Sequence, residues 1–396
     1  MAFIGNGRPD FLTGFREPAS FSDKDKFKGL MLEAIELKVS DTILQSREPV
    51  LVAIHGRLRP LTARRLPQSE LSQILKWAIG SDGAAGDLSK GRPVRGAYIV
   101  LDPTRKDLRG EALRHRFRVN ATRIEKYGSD AIQIVMRTIP NDVPTIEQMG
   151  FDRELLKYMT PKDGIIYVSG PTGSGKTSTF ASIIRYILEN DTPIQGNIIM
   201  LEDPIEFSFD YIDSQHSIVA QSQVGRSLDE ADRGRDISTF EEGVRDAMRR
   251  WPALLMIGEM RDWETASAGI TASNTGHPVF TTVHSNDTST IFERLLSSCP
   301  KERRDAALFS LVDTGRVLIN QALAFTVDGK RTPLREHLVI TDALREEIVA
   351  TADPSRITSV MRNMLRLHGR SLSQAAEEAY ESGIIPESEL RKYRRR

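Results

Sequence analysis

The residues Gly170-Pro171-Thr172-Gly173-Ser174-Gly175-Lys176-Thr177 fit the pattern G-x-x-x-x-G-K-[ST]. They stand between an apolar run, GIIYVSG, and a run with helical spacing, KTSTFASIIRYILEN. Each residue type has a task at a phosphate. Glycines let backbone N–H groups turn inward around phosphate oxygens, and the N-terminus of the next helix adds partial positive charge. Lys176 is placed to reach the β- and γ-phosphates, and Thr177 offers a hydroxyl to Mg²⁺. Ser178 follows in the same first turn and counts with this set. The expected cofactors are ATP and Mg²⁺, but the loop does not say what the energy drives.

Ligands of a parallel α/β sheet bind beyond the carboxyl ends of its strands. The run NIIML ends in Glu202-Asp203-Pro204-Ile205-Glu206, ALLMIG ends in Glu259, and PVFTTV ends in His284. Glu259 stands where a P-loop enzyme closes its second signature strand. It is long enough to hold an attacking water, and Mg²⁺ can be held there through water as well. His277 and His284 bracket PVFTTV, seven residues apart. On one strand that odd spacing puts them on opposite faces, and at ~3.3 Å per residue they lie roughly 20 Å apart. A shared metal is thereby disfavoured. His284 is the γ-phosphate contact, and His277 is read as structural.

Elements must position these groups. The second region, 151–330, alternates short apolar runs with helical ones such as TFEEGVRDAMRRW, which predicts an α/β layer fold with strands buried on both faces. Residues 1–139 read as a small α+β domain. In it PVLVAIHGRLRPL is β-rich with Gly56 placed for a turn, QSELSQILKWAIG is a helix ending at Gly80, and SDGAAGDLSKGRPVRGA is a loop. RHRFRVNATRI and DAIQIVMRTI are two more strands. Residues 140–150, with two prolines, read as a linker, and 331–396 as a helical C-terminal region ending in the basic RKYRRR.

The chain has 396 residues, 39% hydrophobic and 27% charged, enough to bury more than one core. Its formal net charge is zero, which argues against a surface that coats nucleic acid, and no aromatic-basic stacking segment is present. One cysteine, Cys299, excludes a disulfide framework and a cysteine-rich zinc module. Apolar runs such as PALLMIG fall far short of the ~20 residues of a membrane helix. No targeting segment is visible in MAFIGNGRPDFLTGF, so a cytoplasmic protein is expected, peripheral to a membrane through partners.

The ordered set GPTGSGKT, LEDPIEF, LLMIGEMRD and TGHPVFTTVHS resembles the Walker A, Asp-box, Walker B and His-box motifs of the secretion and pilus-motor ATPase superfamily. Upstream, SDTILQSREPVLVAIHGRLRPL and RFRVNA…RTIP resemble that group's N-terminal domain, and the whole is most similar to the branch serving type IVB secretion and conjugative transfer. The resemblance implies a RecA-like P-loop NTPase core with an N-terminal α+β (PAS-like) domain. It implies an ATPase in which Glu259 positions or activates water, Glu202 orders Mg²⁺ and that water, and His284 senses the γ-phosphate. Arg116, Arg118 and Arg137, with Arg123 less securely aligned, would close over the nucleotide at a subunit boundary. On a strand Arg114, Arg116 and Arg118 share one face. The implied assembly is a homohexamer at the cytoplasmic face of the inner membrane, docked on secretion-apparatus components and not on nucleic acid.

Three departures qualify this. Residues 226–239 are longer and more charged than the pilus-motor pattern, the retraction motif is not clear in ITDALREEIVATAD, and the four-cysteine zinc element is absent. A pilus-retraction motor, a nucleic-acid motor and an ATP-switched structural ring are the competing readings.

Overall fold

In the computed structural model of the chain, residues 16–394 are described, apart from 55–56, 107–109, 226–236 and 352. Two compact units form, with the division between Asn141 and Asp142; residues 206–211 count with the first. Gly56, the N-terminal run MAFIGNGRPDFLTGF and most of the charged 226–239 segment lie outside the described residues, as do the last two residues of the basic tail.

The first unit contains α1 (Lys24–Glu36), β1 (Asp41–Gln45), β2 (Leu51–Ile54), β3 (Arg57–Pro60), α2 (Gln68–Ile79), α3 (Ala84–Ser89), β4 (Val94–Lys106), β5 (Ala112–Lys126) and β6 (Ser129–Ile139). The strands make one antiparallel sheet in the order β3-β2-β1-β6-β5-β4. Alternation along β5 buries His115, Phe117, Val119 and Ala121 on one face and leaves Arg114, Arg116 and Arg118 on the other. Apolar residues of α2 recur at helical spacing, Leu71, Ile74, Leu75 and Ala78, and all are buried in the unit's core. Gly80 ends α2 at φ 72°, a left-handed value glycine adopts without strain. Trp77 packs beside Phe27 in the same core, ring centroids 5.1 Å apart. At the start of α2 the buried Glu70 receives both arms of the Arg64 guanidinium (2.7 and 2.8 Å) and the Phe21 backbone N–H.

One sequence expectation is corrected here. The stretch 81–97, expected to be loop, holds α3 and the start of β4. Gly83 at the N-cap and Gly86 within the helix disfavour α3 on propensity, but Ala84 and Leu88, four residues apart, are buried in the core, and that burial outweighs it.

The second unit contains α4 (Arg153–Leu156), β7 (Gly164–Ser169), α5 (Lys176–Glu189), β8 (Gly196–Glu202), β9 (Ser217–Gln223), α6 (Phe240–Ala247), β10 (Pro252–Ile257), α7 (Trp263–Asn274), β11 (Pro278–Val283), α8 (Ile291–Ser298), α9 (Arg304–Thr314), β12 (Gly315–Phe325) and β13 (Arg331–Val339). Four helices follow: α10 (Asp342–Thr351), α11 (Ile357–His368), α12 (Leu372–Glu381) and α13 (Glu387–Tyr393). The region expected to be helical from 331 therefore opens with a strand, read poorly because Arg331, Arg335 and Glu336 break its apolar pattern.

The sheet order is β13-β12-β7-β11-β10-β8-β9, parallel except for the β12–β13 pair. Every residue of β7 and β11 is buried, as a sheet covered on both faces demands. On one face Phe280 stacks on Phe180 of α5, centroids 5.1 Å apart. On the other, Ile165, Tyr167, Val279 and Val283 join the core with residues of α7, α8 and α9, and Trp263 packs against its margin. Trp251, just before β10, is 84% exposed. Among the described residues no helix is long and apolar enough to cross a membrane.

Candidate functional site

β7 delivers the chain to the phosphate loop, and α5 leaves it. Gly170, Gly173 and Gly175 take φ of 139°, 80° and 85°, left-handed values that the loop's inward-facing amides require. Gly170 has a second constraint: a Cβ there would lie 2.3 Å from the Gln321 carbonyl oxygen. The Lys176 Nζ donates to the carbonyls of Gly170 (2.8 Å) and Pro171 (3.1 Å), so the ammonium lies across the loop's mouth. Ser174 is buried, and its hydroxyl has no hydrogen-bond partner. Thr177 and Ser178 stand half-buried in the first turn of α5. Left-handed glycines, a helix N-terminus, a lysine and an unsatisfied hydroxyl fit a polyphosphate. Among the described residues no cluster of three or more His, Cys, Asp or Glu side chains could hold a metal ion. A cation here would need the nucleotide's own oxygens beside Thr177.

Sheet register brings the acids to the same edge. Leu201 pairs with Ile257, Ile257 with Thr281, and Val283 with Ser169, so β8, β10, β11 and β7 end within about two residues of one another. Glu202 closes β8, is 3% exposed and accepts from Gln221 Nε2 at 2.8 Å. Past β10 the chain is pinned on both sides: Gly258 N donates to the Leu201 carbonyl, and Thr282 Oγ1 to the Gly258 carbonyl (2.8 and 2.6 Å). Glu259 follows, half-buried. Its carboxylate takes Arg261 Nε at 2.7 Å and His284 Nε2 at 3.0 Å.

Of the predicted residues the second unit thus brings together the loop residues 170–178, Glu202, Glu259 and His284 at one sheet edge. His277 sits at the opposite end of β11, half-buried. Arg116, Arg118 and Arg137 belong to the first unit. There Arg118 pairs in register with Arg137 across β5 and β6, and Arg137 Nε donates to Asp41 at 2.8 Å. Arg116 Nε is buried without a hydrogen-bond partner.

Sequence reasoning gave no role to Arg261, Gln221 or Gln321. Arg261 was legible in principle, two residues from Glu259 and followed by the Asp262 cap of α7. Gln321 is a polar residue inside the apolar run VLINQALAF, and it is wholly buried. Its amide Nε2 donates to the Ser174 carbonyl at 2.6 Å.

A parallel sheet with the phosphate-loop strand between β11 and β12, and a glutamate two strands away, defines a RecA-like P-loop ATPase. Such enzymes hydrolyse ATP. The chain belongs to the Type II/IV secretion system protein family, whose profile matches residues 108–327. It is 34% identical to the type IV pilus retraction ATPase PilT of Pseudomonas aeruginosa over 311 residues, 78% of this chain and 81% of that protein. The solved structure of the ATPase DotB of Yersinia pseudotuberculosis is similar with a TM-score of 0.81 and 37% identity, over 96% of each chain. A pilus retraction motor PilT with bound ADP gives a TM-score of 0.73 and 28% identity, over 92% of this chain and 96% of that one.

Proposed function

We propose that the protein is a hexameric motor ATPase that powers a type IVB-like secretion or conjugative transfer apparatus from the cytoplasmic face of the inner membrane. The observation that carries the ATPase chemistry is Glu259, fixed at the sheet edge beside the phosphate loop with its carboxylate between His284 and Arg261. ATP lies with its phosphates on the 170–178 loop. Glu259 orients a water in line with the γ-phosphate and takes up its proton, while the bond from the γ-phosphorus to the bridging oxygen breaks to leave ADP and phosphate. Lys176 spreads charge over the β- and γ-oxygens. Mg²⁺, held by Thr177 and through water by Glu202 and Glu259, would offset phosphate charge. His284 touches Glu259 at 3.0 Å and stands at the end of β11, the neighbour of the phosphate-loop strand, which suits a sensor of nucleotide state. Arg116, Arg118 and Arg137 of a neighbouring subunit would close over the nucleotide at the subunit boundary and supply further positive charge, where an arginine contributes ~10³–10⁵ in rate.

The test is steady-state turnover with purified protein and with Lys176→Ala. Loss of turnover in the variant, with native oligomer size retained, supports the assignment; absence of turnover in the unaltered protein, with and without its apparatus, overturns it. Similarity to a pilus retraction ATPase favours a second reading, retraction. A strain lacking the protein then makes longer or more numerous pili with transfer intact, whereas the leading reading expects loss of transfer.

A further inference from the structure

We propose that Gln321 and Arg335 are positioning residues that tie the phosphate loop to the connector, residues 142–150, by which the chain enters the second unit. The inference rests on the reading of the loop as the nucleotide site. Gln321 on β12 and Arg335 on β13 are directly opposed in the antiparallel ladder. Gln321 Oε1 accepts from Thr179 Oγ1 at 2.7 Å and from Arg335 Nε at 2.9 Å, while its Nε2 donates to the Ser174 carbonyl at 2.6 Å. Two donors on one atom and a carbonyl on the other fix which way the amide points. One side chain therefore grips the loop at Ser174 and the first turn of α5 at Thr179.

Arg335 carries the grip onward. It is 4% exposed, and its two terminal nitrogens donate to the carbonyls of Gly150 (3.1 Å) and Met149 (2.9 Å). Its guanidinium carbon stands 4.5 Å from the centre of the Phe151 ring. Among the described residues it has no carboxylate partner. Burial, and next the charge of Arg370, pull its pKa down to about 9, so it stays charged at neutral pH. Burying a cation without a carboxylate is a poor way to gain stability, and an apolar side chain of similar volume would serve the core as well. What the arginine supplies instead is a fixed fork of donors that joins Gln321 to two connector carbonyls. Ordering of the loop around phosphate and ordering of the connector are then one event.

The experiment is hydrogen exchange on the full chain, with and without Mg-ADP or a slowly hydrolysed ATP analogue, alongside ATP turnover. In the unaltered protein nucleotide slows exchange in both 170–178 and 142–150. Arg335→Met retains the first response and loses the second; an undiminished connector response in that variant overturns the proposal. Thr179→Val removes one hydroxyl without changing shape, so it tests the same network where the arginine variant fails to fold. It raises KM for ATP about fivefold with kcat within about twofold, and Thr179→Ser restores KM, the size expected for one hydrogen bond. Unchanged KM in Thr179→Val overturns the positioning role. If nucleotide fails to protect 170–178 in the unaltered chain, the nucleotide site itself is refuted, and the inference falls with it.

Discussion

A single carboxylate shows what residue-level reading achieves and where it stops. Glu259 was legible because a short apolar strand ends in it, and because a glutamate there reaches a water. Its two partners were not equally legible: His284 ends another strand, but Arg261 is one of many arginines, and only the turn after β10 folds it back. If Glu259 positions and deprotonates the water, Glu259→Gln keeps nucleotide affinity and lowers kcat by about 10²–10⁴, as expected for loss of a general base. Comparing kcat with the dissociation constant of a fluorescent ATP analogue checks this. Equal loss of both would mean that the residue serves binding. His284→Ala leaves Arg261 on the carboxylate, so it lowers kcat less than Glu259→Gln does, in the same assay.

At the scale of elements, periodicity and glycine placement made α2, α5 and the β7–loop–α5 junction readable. Helix α3 and strand β13 escaped because their identity comes from burial against distant parts of the chain, which local pattern does not encode. Two predictions belong here. Gly170→Ala puts a methyl 2.3 Å from the Gln321 carbonyl at a φ that L residues avoid. It therefore distorts the loop and abolishes nucleotide binding while the first unit's melting is unchanged; calorimetry with Mg-ADP reads the first and thermal unfolding the second. The α2 entry is the other. Burial alone would raise the Glu70 carboxyl, but the Arg64 fork and the Phe21 N–H outweigh it and hold it below the usual value. The folded form then binds protons less readily than the unfolded chain. The pair's stabilisation is complete above about pH 5 and is lost as pH falls through the lowered folded value. Glu70→Gln destabilises by about 1–3 kcal/mol at pH 7 and flattens that acid-side loss, measured by urea midpoints between about pH 7 and pH 3.

The whole molecule has no net charge, and that balance bears on its partners. A motor tracking nucleic acid relies on a basic surface and loses affinity steeply with salt. Duplex or single-stranded DNA accordingly leaves the ATPase rate unchanged at low salt; a stimulation that fades between 50 and 200 mM salt, the span over which about 10³–10⁵ of a phosphate-binder's affinity disappears, would restore the nucleic-acid reading. The stretch 140–150, read as a linker from its two prolines, counts with the second unit from Asp142 onward, as does the C-terminal region 331–396. The three tryptophans fall into two kinds of environment: Trp77 and Trp263, the latter two residues past Arg261, are each partly buried against the core of their own unit, and Trp251 stands in solvent. The chain thus carries its own optical labels. Iodide quenches Trp251 selectively, and once it is replaced by phenylalanine the remaining emission divides into one fluorophore per unit, so that the melting of each unit can be followed in the same cuvette without attaching a dye.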